Sequence, residues 1–174
     1  MPASRQASQH PWGVSVSVHA HRGAPYQAGR LAARAALAAW CGRDDIEIVN
    51  DPDGAPRLVG QDGFISISHD APWVAIALGD ARCGVDVCAV AHEPRVRRIL
   101  ASLGLAVVAH PCLVFAGIEA ALKLRREGVW LLVDRTVAVA PYEGGAHITG
   151  IGAPVDVRWE LRDGYALAWT EERT

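Results

Sequence analysis

Three short segments carry polar side chains through otherwise apolar sequence: Ile65 to Asp70 (ISISHD), Gly84 to Cys88 (GVDVC) and Ala116 to Leu124 (AGIEAALKL). Asp86 stands between Val85 and Val87. Successive side chains of a strand point to opposite faces, so its carboxylate faces away from both valines, toward solvent, a cation or a ligand. An exposed acid on an edge strand satisfies the same pattern. Glu119 and Lys123 are four apart and share one face of a helix, by itself the spacing of an ordinary ion pair worth about 0.2 to 0.5 kcal/mol. Ser68 and His69 close an alternating stretch before a turn, where a hydroxyl and an imidazole can contact an anion, although such turns are common on any surface. No G-x-S-x-G elbow, Walker loop, H-E-x-x-H or G-x-G-x-x-G occurs, so hydrolase, nucleoside-triphosphatase, zincin and Rossmann readings lack their motifs. What gives the three segments weight is their combination.

The elements that must position these residues follow from pattern. Over 12–20, Val14, Val16 and Val18 alternate with Ser15, Ser17 and His19, which predicts a strand with one buried face. Residues 25–40 predict a helix, with Pro25 in its first turn, an Ala-rich body and Gly42 as its stop; Arg30 and Arg34 share one of its faces. Short strands are expected over 46–49, 64–68, 73–78 and 83–87, between the turn-rich DPDGAP, HDAP and GDAR segments. A helical stretch over 94–103 and a helix over 111–126, closed by Gly128, open the second half. Strands are expected there over 129–133, 136–140, 154–161 and 165–170. Helix, sheet and final strand thus recur in both halves. The expected fold is α+β and pseudo-duplicated, residues 1–88 and 89–174 each forming a helix on a small, mostly antiparallel sheet, with a cleft where they meet.

Composition sets the outer bounds. The chain has 174 residues, 51% apolar and 21% charged, with a formal net charge of -2. That length buries one full core or two small ones sharing an interface. The near-neutral balance supplies no broad basic field, against nucleic-acid binding. The longest apolar run, over 99–109, is interrupted by Ser102 and Gly104 and is about half of the roughly 20 residues of a membrane span. MPASRQASQHPWG has no apolar stretch of signal-peptide length, so a cytoplasmic location is expected. Cys41, Cys83, Cys88 and Cys112 form no C-x-x-C pair, against a zinc cage or a disulfide scaffold. Lys123 is the only lysine.

In order and interval the polar segments resemble the Sfp-type 4'-phosphopantetheinyl transferases. GAPRLVGQDGFISISHDAPWVAIAL followed by CGVDV is similar to the family's G-K/R-P, F-N-I-S-H-S and G-I-D-I-E, and FAGIEAALKL to its W-x-x-K-E-x-x-x-K. The resemblance spans residues 27–123, the remainder matching as strand pattern only. It implies a two-lobed monomer holding coenzyme A between its halves. The reaction would move the phosphopantetheine arm of coenzyme A to a serine of an acyl or peptidyl carrier protein, releasing 3',5'-ADP. By motif position Asp86 and Glu119 would be magnesium ligands, with Glu119 also the base that takes the serine proton. Lys123 would contact the pyrophosphate and assist the leaving group. Ser68 and His69 would bind phosphates, and Arg34 would reach the nucleotide end.

The chain departs from the family at three points. Cys88 replaces the second acid of D-x-E, and a soft thiol would leave that magnesium vertex to water. Ile118 replaces the lysine before the glutamate, and Ala55 the basic residue between Gly54 and Pro56, with Arg57 one place further on as its substitute. Weakened activity or altered partner choice would follow. The alternative is a non-catalytic module that binds coenzyme A or a carrier protein on the same fold.

Overall fold

The computed structural model describes residues 8–9, 13–20, 25–42, 45–105, 110–128, 132 and 136–172. A two-residue strand, β1 (Ser8–Gln9), pairs with β2 (Ser15–Ala20), the segment of alternating valines. After α1 (Pro25–Cys41) come β3 (Glu47–Asn50), β4 (Pro56–Val59), β5 (Phe64–Asp70), β6 (Trp73–Gly79) and β7 (Cys83–Ala89). A 3-10 turn at Val90–His92 leads into α2 (Glu93–Ser102), then α3 (Pro111–Arg125). The chain closes with β8 (Ala138–Tyr142), β9 (Gly145–Thr149), β10 (Val155–Arg162) and β11 (Tyr165–Glu171). The sheet orders are β1-β2-β6-β5, β7-β11-β10-β9-β8 and the hairpin β3-β4. Every strand pair among the described residues is antiparallel. The architecture is α+β.

Period-2 alternation sorts the strand residues into three cores. Val74, Ile76 and Leu78 of β6 pack against Ala33 and Leu37 of α1 and Ile48 and Leu58 of the hairpin. The opposite face of β6, Ala75 and Ala77, meets Val14, Val16, Val85, Val87, Leu167 and Trp169, so the two larger sheets are packed on each other. The far face of the second sheet, including Ile148, Val157, Trp159 and Ala168, is covered by α3, with Val96 and Leu100 of α2 beside it.

The boundaries of α3 have local causes. Pro111 occupies its first turn, and His110 Nδ1 accepts from the Cys112 amide at 3.3 Å, satisfying one of the orphan donors of a helix start. The helix expected over 111–126 runs to Arg125, and its cap is Arg126 rather than Gly128. Arg126 adopts the left-handed conformation, φ 56°, and its guanidinium donates to Asp51 Oδ2 at 2.7 Å, tying the helix end to the β3–β4 hairpin.

Several expectations change. Strands β4 and β9 were not expected, and the strand expected over 136–140 begins at Ala138. The strand expected over 129–133 lies outside the described residues except for Leu132, which is buried. The expected 88/89 division falls inside β7, whose backbone pairs with β11 of the second half, with Val85 opposite Trp169 and Val87 opposite Leu167. The reason is packing: the chain crosses between sheets at the β6–β7 turn, which lets the valines of β7 close the core between them.

Candidate active site at the junction of the two larger sheets

Both β5 and β7 are edge strands, and an edge leaves backbone amides that need partners. Side chains of β5 supply them. The Val85 amide donates to Ser66 Oγ at 3.1 Å, the Val87 amide to Ser68 Oγ at 3.3 Å, and the Ala89 amide to Asp70 Oδ2 at 2.7 Å. The alternating polar face of ISISHD is therefore a ladder of side chains standing in for a partner strand's carbonyls, and it joins the sheets.

Asp86 projects from the other face of β7, the one α3 covers. It is 6% exposed, and of the solvent, cation or ligand expected on that face it meets a cation, the Lys123 ammonium. Gly84 is the reason α3 comes so near: a Cβ there would lie 2.0 Å from Ala120 O and 2.8 Å from Leu124 N. At that distance Lys123 Nζ donates to Asp86 Oδ1 at 2.8 Å and to Val85 O at 3.0 Å. Ser68 Oγ donates to the same carboxylate oxygen at 2.6 Å. Its single proton is thereby committed to Asp86.

Glu119, one turn before Lys123, is mostly buried. Burial, with the Asp86 charge second, raises its carboxyl from 4.5 to about 6, against the opposing pull of Lys123. Asp86 and Glu119 line one cavity of about 220 Å³ together with Ser68, His69, Asp70, Cys88 and His92. The two residues thus face one cavity at the junction of the sheets. Cys88 also faces this cavity, yet its thiol is 3% exposed and packs in the α3 core. Burial, then the neighbouring Cys112 thiol, then the Asp70 and Asp86 charges push its pKa well above the usual thiol range. It is a neutral thiol.

His69 is exposed and lines both this cavity and a second one of about 190 Å³, bounded by Arg30, Ile48, Asn50 and Pro56. A third cavity of about 700 Å³ adjoins the second at Gly54, Pro56 and Ile67 and contains Arg57, Lys123 and Arg126. Arg57 Nε donates to Asp51 Oδ1 at 2.9 Å. Arg34 is exposed on α1, and its neighbour by one turn is the arginine that turns inward. Arg30 donates to Ile48 O at 3.0 Å and Asn50 Oδ1 at 2.9 Å, beside His69.

Two residues escaped sequence reasoning altogether. Asp70 Oδ2 accepts from His92 Nδ1 at 2.8 Å in addition to the Ala89 amide, and both side chains line the cavity of the carboxylates. The only available signal was that Asp70 continues the alternation of Ser66 and Ser68; nothing local pairs it with a histidine 22 positions on. No protein-family model matches the chain, and no curated protein matches it.

Proposed function

We propose that the chain is an Sfp-type 4'-phosphopantetheinyl transferase, moving the phosphopantetheine arm of coenzyme A to a carrier-protein serine with release of 3',5'-ADP. One observation carries the reading: Asp86 of β7 and Glu119 of α3 share a cavity at the junction of the two sheets, with Lys123 bonded to Asp86. The pseudo-duplication and the cytoplasmic location expected from the sequence belong to the same proposal. Its support in the fold is that α1 packs on the first sheet much as α3 packs on the second. No helix among the described residues is long and apolar enough to cross a membrane.

The donors suit magnesium. Two carboxylates are hard oxygen ligands; burial first and the Asp86 charge second raise the Glu119 carboxyl, and a cation between the two would offset both. Among the described residues no three His, Cys, Asp or Glu side chains are grouped to hold a metal. Water would therefore complete the shell, as is usual for this ion. When bound, magnesium supplies neutralisation of phosphate oxygens.

The chain's own groups do the rest by position and charge. Two of the three Lys123 N–H bonds go to Asp86 and Val85, leaving the third for a phosphate oxygen of the leaving group. His69, between two adjoining cavities, is placed to contact phosphate, and Arg30 takes the nucleotide-end role expected of Arg34. A ligand as long as coenzyme A needs such a run of adjoining cavities rather than one deep pocket.

A non-catalytic module binding coenzyme A or a carrier protein is the second reading, and the neutral, buried Cys88 thiol at the second acidic position of D-x-E favours it. Labelled coenzyme A, incubated with acyl and peptidyl carrier proteins with and without magnesium, separates the two. The expected result is magnesium-dependent labelling of a carrier serine. Binding without transfer supports the module; neither binding nor transfer overturns both.

A further inference from the structure

We infer that His92, oriented by Asp70, takes the proton of the attacking serine, which leaves Glu119 free to ligate the cation; this rests on the transferase reading above. Asp70 is held at the last rung of the β5–β7 ladder, where the Ala89 amide donates to its Oδ2 at 2.7 Å. The same oxygen lies 2.8 Å from His92 Nδ1. An ionised carboxylate only accepts hydrogen bonds, so the proton between them sits on Nδ1 and the lone pair is on Nε2. Among the described residues Nε2 has no partner. His92 ends the 3-10 turn that follows β7 and precedes the first residue of α2, so its backbone is fixed on both sides. It is half-exposed and lines the same cavity as Asp86 and Glu119.

A carboxylate followed by an imidazole with its far nitrogen free is the arrangement that readies a hydroxyl for attack. A lone pair that ligates a cation is a poor proton acceptor, so dividing the two tasks between Glu119 and His92 removes a conflict. In the step, serine Oγ forms a bond to the phosphorus that carries the pantetheine arm. The bond from that phosphorus to the bridging oxygen of 3',5'-ADP breaks, and its electron pair leaves on that oxygen, facing Lys123. The serine proton passes to His92 Nε2, while the Nδ1 proton stays shared with Asp70. Atoms and charge balance with no further reactant.

Two variants test this without removing the fold. His92→Gln can still bond Asp70 but is no base. In Asp70→Asn the amide oxygen, kept at the Oδ2 position by the Ala89 amide, still accepts from Nδ1, so the ring holds its orientation but loses the negative charge that stabilises it once protonated. Magnesium-dependent transfer is followed with kcat and the carrier KM separated, alongside calorimetric coenzyme A binding and a thermal melt. The kcat is expected to fall about 100-fold or more in His92→Gln and by a smaller factor in Asp70→Asn, with coenzyme A affinity and carrier KM of both within about threefold of the parent. A parent that transfers and a His92→Gln protein with unchanged kcat overturn this inference and leave the transferase reading standing. A loss confined to melting temperature or KM also overturns it, since that is what a purely structural His92–Asp70 link would give. A parent that transfers nothing overturns both.

Discussion

Lys123 Nζ and Asp86 Oδ1 lie 2.8 Å apart across the β7–α3 interface, and among the described residues Lys123 is the only cation brought onto that buried carboxylate. Removing it strands a charge that is 9% exposed and already repelled by Glu119. Breaking a buried pair from one side costs about 3 to 5 kcal/mol, and the partial exposure of Lys123 places this pair at the lower end. Lys123→Met is therefore expected to lose about 3 kcal/mol in urea denaturation. The double variant Lys123→Met with Asp86→Asn should recover most of that, because the orphaned charge is gone. A double variant as unstable as the single one would show that packing of the lysine stem, not the ion pair, holds the interface.

Gly84 is expected to tolerate no side chain. Its missing Cβ is what permits the backbone of α3 to sit on β7, and backbone atoms at 2.0 and 2.8 Å cannot rotate away. Gly84→Ala should cost at least about 3 kcal/mol, the upper range of overpacking, and it should move Lys123 off Val85. Gly117, on the same helix, meets only side chains of Trp159 and Ile148 at 3.4 Å or more, so Gly117→Ala serves as the tolerated control. Equal melting temperatures for the two variants would contradict this account of the helix position.

The contrast between these two glycines shows why some of the site was legible and some was not. Alternation around Asp86 and the four-residue spacing of Glu119 and Lys123 are local patterns, and they named three residues that the fold brings together. Whether Asp86 faces solvent depends on how closely α3 approaches, which depends on a glycine two positions earlier whose partner lies far along the chain. Ser66 and Ser68 were legible as one face of a strand, but not as hydrogen-bond acceptors for another strand, and Asp70, the last residue of β5, fell in the expected HDAP turn. Strand β4, four residues beginning with a proline, is too short for periodicity to register and is held by its pairing with β3. Arg30 and Arg34 share a face, and only the hairpin's position selects between them.

Glu119 should leave a signature in the pH dependence of stability. Its carboxyl is at about 6 in the folded chain against 4.5 when exposed. Below about 4.5 it is protonated in both states and burial carries no charge penalty. Between 4.5 and 6 the unfolded chain releases its proton more readily, so stability falls as pH rises, by about 2 kcal/mol in all. Above 6 the penalty is constant. Glu119→Gln should flatten this slope in denaturation curves taken from pH 4 to 7 at low divalent-ion concentration. An identical slope in the variant would assign it to another group.

Cys88→Glu probes the position where the resemblance and the structure diverge. The thiol lies beside Cys112 and the α3 core, so a carboxylate in its place is desolvated and adds to the charges of Asp86 and Glu119. Without a cation this should cost several kcal/mol, seen as a lower melting temperature. If the two carboxylates form a magnesium site, the new oxygen faces the same cavity and millimolar magnesium should restore most of the loss while leaving the melt of the parent less changed. Under the transferase proposal, transfer to a carrier serine should rise with it, because the second acid of the D-x-E motif that the chain resembles is then present. A variant that magnesium does not rescue would mean that the cavity offers three carboxylates no common cation, and would favour the binding module over the enzyme.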